Sequence, residues 1–90
     1  MPEESREGYY FGAMDAEALN IVMQAGQKKR ASERVIIEYE PKNLKAHLKG
    51  ADRVNARYCA VIGENELKNN SIWIKDLVQK DEQTIMLDAL

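Results

Sequence analysis

The side chains able to do covalent chemistry are few in this sequence. Cys59 and His47 are its one cysteine and one histidine. A cysteine nucleophile needs exposure and a base or cation to lower its pKa. Cys59 stands inside the run Tyr58-Cys59-Ala60-Val61-Ile62, nearly all apolar as in a strand covered on both faces, and it is expected to be a core residue. His47 falls at the edge of an apolar helix face and is expected to be partly buried or on the surface, not a ligand or general base. One cysteine and one histidine exclude an internal disulfide, a multi-cysteine zinc site and a histidine-rich metal site. Gly63 ends the apolar run, but no further glycine follows at phosphate-loop spacing. A phosphoacceptor receiver domain would need acids after its first and third strands, and Ile62-Gly63 supplies none. No Ser/His/Asp arrangement assembles. The expectation is a chain with no catalytic residues, no metal and no cofactor of its own, not an enzyme by itself.

Cations offer more. The net charge of −2 conceals an asymmetry: residues 28–57 hold nine bases and four acids, for +5, and the remainder carries −7. Local positive charge attracts phosphate whatever the overall pI, although a charge run is more often an ordinary solvated surface. Summed at 100° per residue, Lys42, Lys45, Lys49 and Arg53 fall almost opposite Leu44, Leu48, Ala51 and Val54 on one helix. With Arg57 they suit phosphate contacts, which position a nucleic acid without specifying its sequence. Glu64, Glu66, Trp73 and Lys75 follow, placed to meet at the mouth of a sheet. A carboxylate there can accept hydrogen bonds from the Watson–Crick edge of an unstacked base. Trp73 reads either as a base-stacking platform or as a strand residue packed under a helix, and the second is favoured.

The elements that must position these residues follow from pattern. Ninety residues, 44% apolar and 31% charged, make one globular domain with no room for a second. The longest apolar run, Tyr58–Ile62, is far short of the roughly 20 residues that span a bilayer, and the acidic start Met1–Glu7 is unlike a secretory signal. A cytoplasmic location without membrane contact is expected. Residues 1–8 read as a flexible lead-in to a single domain over 9–90. Strands are expected at 9–14, 35–40, 58–62, 72–77 and 83–87. Helices are expected over 15–30, with Asp15 as N-cap, over 42–54, and briefly over 64–68. Asp88-Ala89-Leu90 resembles a capped helix start left incomplete. The order β-α-β-α-β-(α)-β-β argues for an α/β fold with parallel βαβ units and a closing antiparallel hairpin.

Two stretches carry a family resemblance. Leu44 to Asn69, containing Leu44-Lys45, Leu48-Lys49, Ala51-Asp52, Ala56-Arg57 and Ile62-Gly63-Glu64-Asn65-Glu66-Leu67, continues into Ile72-Trp73-Ile74-Lys75-Asp76-Leu77 and Glu82-Gln83. Together these resemble the C-terminal anticodon-binding domain of bacterial histidyl-tRNA synthetases, over about Tyr10 to Leu90. Asn43 and Asn55 depart from the family pattern. The resemblance implies a five-stranded mixed sheet flanked by about three helices, as in the class IIa synthetases. It implies binding to the anticodon loop of the histidine tRNA, with Glu66 as base-edge acceptor, Lys75 and Lys49 as base or phosphate donors, and Lys42 and Lys45 as backbone contacts. It further implies a homodimeric parent enzyme, a ligase that joins histidine to tRNA with ATP and magnesium in a catalytic domain absent from these residues.

Two rivals remain at this level. A stand-alone α/β module would bind structured RNA without anticodon preference. A synthetase-like protein-interaction domain would ignore loss of Lys49 or Lys75 and would show an apolar patch or a dimer surface.

Overall fold

In a computed structural model, residues 6–90 are described. Strands and helices alternate as β1 (Tyr9–Ala13), α1 (Ala16–Arg30), β2 (Val35–Ile37), α2 (Leu44–Arg53), β3 (Tyr58–Ile62), α3 (Glu64–Asn69), β4 (Ser71–Asp76) and β5 (Asp81–Met86), with a 3₁₀ turn over Leu87–Ala89. The strands form one five-stranded sheet in the order β2-β1-β3-β4-β5. β1 runs parallel to β2 and β3, while β3–β4 and β4–β5 are antiparallel. The mixed α/β sheet with three helices is the architecture expected from the sequence.

Period-two alternation sends side chains to opposite faces. Phe11, Ala13, Val35, Ile37, Ala60, Ile62, Ile72 and Ile74 join Ala18, Val22 and Ala25 of α1 in one core. Tyr10, Cys59 and Val61 face the other way and meet Ala51 of α2, flanked by Leu44, Leu48 and Val54. β3 is covered on both faces, and complete burial of a side chain such as Ile62 or Val61 contributes about 1.5–3 kcal/mol. Gly26 lets α1 approach closely, since a Cβ there would stand 2.7 Å from Ile37 Cδ1. β5 is an exposed edge, charged at Asp81 and Glu82 as edges commonly are.

Helix ends follow local chemistry. Asp15 caps α1 by accepting the Ala18 N–H at 3.1 Å, and Lys28, Lys29 and Arg30 occupy its last turn, where the dipole favours cations. The second helix begins two residues later than its sequence pattern indicates. Asn43 accepts the Ala46 N–H at 2.8 Å and serves as its cap, while the Lys42 N–H is drawn to the Ala13 carbonyl at 3.0 Å. β2 also stops early, at Ile37. Glu38 still donates its N–H to Phe11, but its carboxylate then accepts the Glu40 N–H, turning the chain out of the sheet. At the C-terminus the short turn is capped by Met86, not started at Asp88. The lead-in expected over residues 1–8 lies mostly outside the described residues, and within it Arg6 donates to the Ala56 carbonyl and pairs with Asp52.

His47, expected to be partly buried or on the surface, is instead fully buried. Nε2 lies 2.7 Å from the Ala13 carbonyl, an acceptor only, so Nε2 donates. In the neutral ring Nδ1 then accepts the Tyr10 hydroxyl at 3.1 Å. Both polar atoms are satisfied inside the fold, which removes the usual cost of burying them.

Candidate nucleic-acid interface

α2 presents its basic residues as one ridge because its other side is buried. Lys45 and Lys49 are exposed on the helix, and Arg53 is exposed in its last turn. Among the described residues neither Lys45 nor Lys49 enters an ion pair. Lys42 precedes the helix, and its ammonium lies 3.4 Å from Glu38. Burial would raise the Glu38 pKa, but the Glu40 N–H and the Lys42 ammonium outweigh it and hold the carboxyl below its ordinary value. Arg57 does not join the ridge. Its guanidinium lies over the Tyr58 ring, 5.3 Å from the centroid, and 3.4 Å from Asp76. Tyr58 belongs to the α1-side core, so the attraction of Asp76 and an aromatic face carries Arg57 away from α2.

At the carboxyl ends of β1 and β3 the chain makes a small pocket of about 110 Å³, lined by Met14, Leu44, Val61, Glu66 and Trp73. Parallel pairing of β1 with β3 brings Met14 to the edge where α3 starts, and the Met14 N–H donates to the Ile62 carbonyl at 3.0 Å. Glu66 reaches back to accept the Gly63 N–H at 2.8 Å, half of a capping box, since glycine has no side chain to complete it. A Cβ at Gly63 would stand 2.9 Å from both Glu66 Oε1 and Met14 Sδ, so glycine lets these walls close on the backbone.

Trp73 and Lys75 alternate onto the α2 side of β4, about 7 Å apart along the strand. Trp73 is half-buried against the α2-side core, and its indole N–H donates to Glu82 Oε1 at 3.3 Å. The ring thus packs in part against the α2-side core and borders the pocket. Lys75 pairs in register with Cys59 on one side and Glu82 on the other. Burial pushes the Cys59 thiol up to about 12 against the opposing pull of Lys75, consistent with a core residue and not a nucleophile.

The structure thus groups Glu66 with Trp73 at one pocket and sets Lys75 two residues along the strand, while Lys45 and Lys49 stand on the exposed side of α2. It leaves Lys42 engaged with Glu38. Met14, Leu44 and Val61 were not singled out from sequence, because apolar residues at a pocket look like any core stripe until the strand order is known. The other side of the sheet carries carboxylates and cations together, with Arg57 paired to Asp76 and Lys29 over the Tyr9 ring. A cavity of about 220 Å³ there is lined by Tyr58, Ile74, Asp76, Asp81, Glu82 and Gln83.

Comparison with known proteins agrees with this architecture. Residues 13–90 match the family described as "Anticodon binding domain". The chain is 58% identical over 86 residues to a histidine–tRNA ligase of Sulfurimonas denitrificans, covering 96% of this chain and 21% of that protein. It is 51% identical over 90 residues to the histidine–tRNA ligase of Sulfurovum sp., covering all of this chain and 22% of the relative. Among solved structures, apo histidyl-tRNA synthetase of S. aureus superposes with a TM-score of 0.81 at 29% identity, over 96% of this chain and 22% of that one. The RNA-binding domain of threonyl-tRNA synthetase from Cryptosporidium parvum shares the fold, with a TM-score of 0.80 at 14% identity over 92% of this chain and 21% of that one. The chain spans about a fifth of the length of the curated relatives it matches.

Proposed function

The chain belongs to the anticodon-binding domain family, and from that premise we propose that it reads the anticodon loop of the histidine tRNA for a histidine–tRNA ligase. The observation that carries this reading is the meeting of an exposed cationic helix, α2, with a pocket rimmed by a carboxylate, Glu66. Lys45 and Lys49 contact phosphates and set the position of the loop. Lys75 donates to a base or phosphate, and Lys42 contacts the backbone once released from Glu38. Glu66 accepts from a base edge, since an ionised carboxylate can only accept.

The domain supplies binding energy and tRNA choice, not chemistry. Histidine activation with ATP and magnesium belongs to a catalytic region outside these residues, in a cytoplasmic, homodimeric enzyme. NMR titration of the chain at low salt tests the reading, with two RNA hairpins. One carries the histidine anticodon and the other has that triplet scrambled. Shifts at Lys45, Lys49, Glu66 and Lys75 with the cognate loop alone are expected. Equal shifts with both hairpins would leave a general RNA binder, and none with either would favour a protein-interaction domain.

A further inference from the structure

Resting on the anticodon-loop reading above, we propose that Glu38 is an autoinhibitory contact, an internal competitor for RNA phosphate at Lys42. Its carboxylate holds the Lys42 ammonium in the free domain, and a phosphate gains that ammonium only by displacing it. Residues 38–42 form a strap between β2 and α2, and backbone bonds anchor both members of the pair. The Glu38 N–H donates to the Phe11 carbonyl at 2.9 Å, and the Lys42 N–H donates to the Ala13 carbonyl at 3.0 Å. The carboxylate is fixed a second time, since Oε2 accepts the Glu40 N–H at 3.2 Å. Oε1 then lies 3.4 Å from the Lys42 ammonium. An acceptor held this way loses little further freedom on pairing, and that loss is part of what makes most exposed pairs weak. The side chains of Lys42 and Glu38 remain 38% and 29% exposed, so a phosphate can still reach the ammonium from solvent.

The competition is between like acceptors. Carboxylate and phosphate oxygens each take a charge-assisted hydrogen bond from an ammonium, so the exchange swaps one such bond for another. Lys42 therefore makes its backbone contact only part of the time and releases only part of the salt that a free lysine would release. Lys45 and Lys49 differ, since neither has a carboxylate partner among the described residues. Glu40 supplies the control. It is an exposed carboxylate on the same strap, in no ion pair among the described residues. Its charge adds to the local field without occupying the ammonium.

The chain is titrated with a labelled histidine anticodon stem-loop across a salt series, with binding read by fluorescence anisotropy. Glu38→Gln keeps an oxygen for the Glu40 N–H, so the strap retains its backbone bonds. It should tighten binding about 3-fold at low salt and steepen the slope of log K against log salt. Glu40→Gln removes an equal charge and should leave the slope where it is. With Glu38→Gln in place, adding Lys42→Ala should make the slope shallower by roughly 0.7, as Lys49→Ala does in the parent. Equal effects of Glu38→Gln and Glu40→Gln would reduce Glu38 to one acid in the local field and overturn the proposal. So would a Lys42→Ala effect that is the same with and without Glu38→Gln. A lower urea midpoint in Glu38→Gln with unchanged affinity would make the pair a brace for the strap, and would likewise overturn it. In all three cases the RNA reading stands. No binding of the stem-loop by the parent or any variant would end both readings.

Discussion

Gly12 lies against the imidazole of His47 so closely that a Cβ at residue 12 would stand 2.4 Å from Nδ1 and 2.5 Å from Cε1. This contact, with the bonds from His47 to Tyr10 and Ala13, ties the centre of α2 to the end of β1. Leu44 and Lys45 belong to that helix, and Met14 follows that strand. The spacing between Gly12 and His47 therefore sets how the cationic ridge and the pocket wall stand relative to each other.

A methyl group at residue 12 has nowhere to go, since the atoms it meets belong to a buried ring bonded at both nitrogens. Gly12→Ala should destabilise the fold by about 2–3 kcal/mol, the upper part of the overpacking range, read as a lower urea midpoint with an unchanged slope. His47→Ala should cost about 3 kcal/mol by leaving the Tyr10 hydroxyl without its partner beside a cavity, while the Ala13 carbonyl keeps only the Lys42 N–H. Gly12→Ala with an unshifted midpoint would show that the ring does not sit where the structure puts it.

Glu66 holds two roles that different substitutions separate. Glu66→Gln keeps an oxygen to accept the Gly63 N–H, so stability should stay within about 0.5 kcal/mol. It replaces an acceptor-only group with a donor–acceptor amide, so discrimination between the cognate and scrambled hairpins should relax. Glu66→Ala should lose that discrimination and also about 1 kcal/mol, the ordinary cost of a lost cap. Unchanged discrimination in both variants would remove Glu66 from base reading.

Lysines that meet phosphate reveal themselves in the salt dependence. Lys45→Ala and Lys49→Ala should each weaken binding to every RNA alike and make the slope of log K against log salt shallower by roughly 0.7. Lys42→Ala should change the slope less, because its ammonium is already partnered by Glu38 at 3.4 Å. Equal slope changes for Lys42 and Lys49 would mean that the Glu38 pair opens fully on binding.

Much of this architecture was legible in the sequence because strand and helix periods are local properties. The β-branched run Val35-Ile36-Ile37, the apolar run Tyr58–Ile62 and the amphipathic pattern around Leu44, Leu48 and Ala51 each point to their element without reference to the rest. What was not legible depends on distant partners. The burial of His47 requires Tyr10 and Ala13, more than 30 residues away. Arg57 turns from the ridge because Asp76 arrives on a later strand. The pocket exists because β1 inserts between β2 and β3, which brings Met14 beside Glu66, and no spacing along the chain signals that. The start of α2 is different, since Asn43, immediately before the helix begins at Leu44, is a good capping residue in plain sight that the expected range 42–54 ran past.

Acid should loosen the fold through Asp76. Burial alone would raise its pKa, but the N–H groups of Gln79 and Val78, at 3.1 and 2.9 Å, and the Arg57 guanidinium favour the charged form more strongly and hold it below the ordinary value. A carboxyl depressed on folding releases its proton more readily in the native state than in the unfolded one. Its contribution to stability is therefore complete above the unfolded pKa and is lost as pH falls through the folded value. Asp76→Asn removes the charge while keeping an oxygen for the turn, and it should be less stable than the parent at pH 7. As pH falls from about 5, the parent should lose stability toward the variant and the gap between their urea midpoints should close. Glu38, also depressed, titrates in both proteins and cancels from the difference. A gap that held constant down to pH 2 would mean that the Arg57 and turn contacts do not favour the charged carboxylate, and with them would go the reason Arg57 leaves the cationic face.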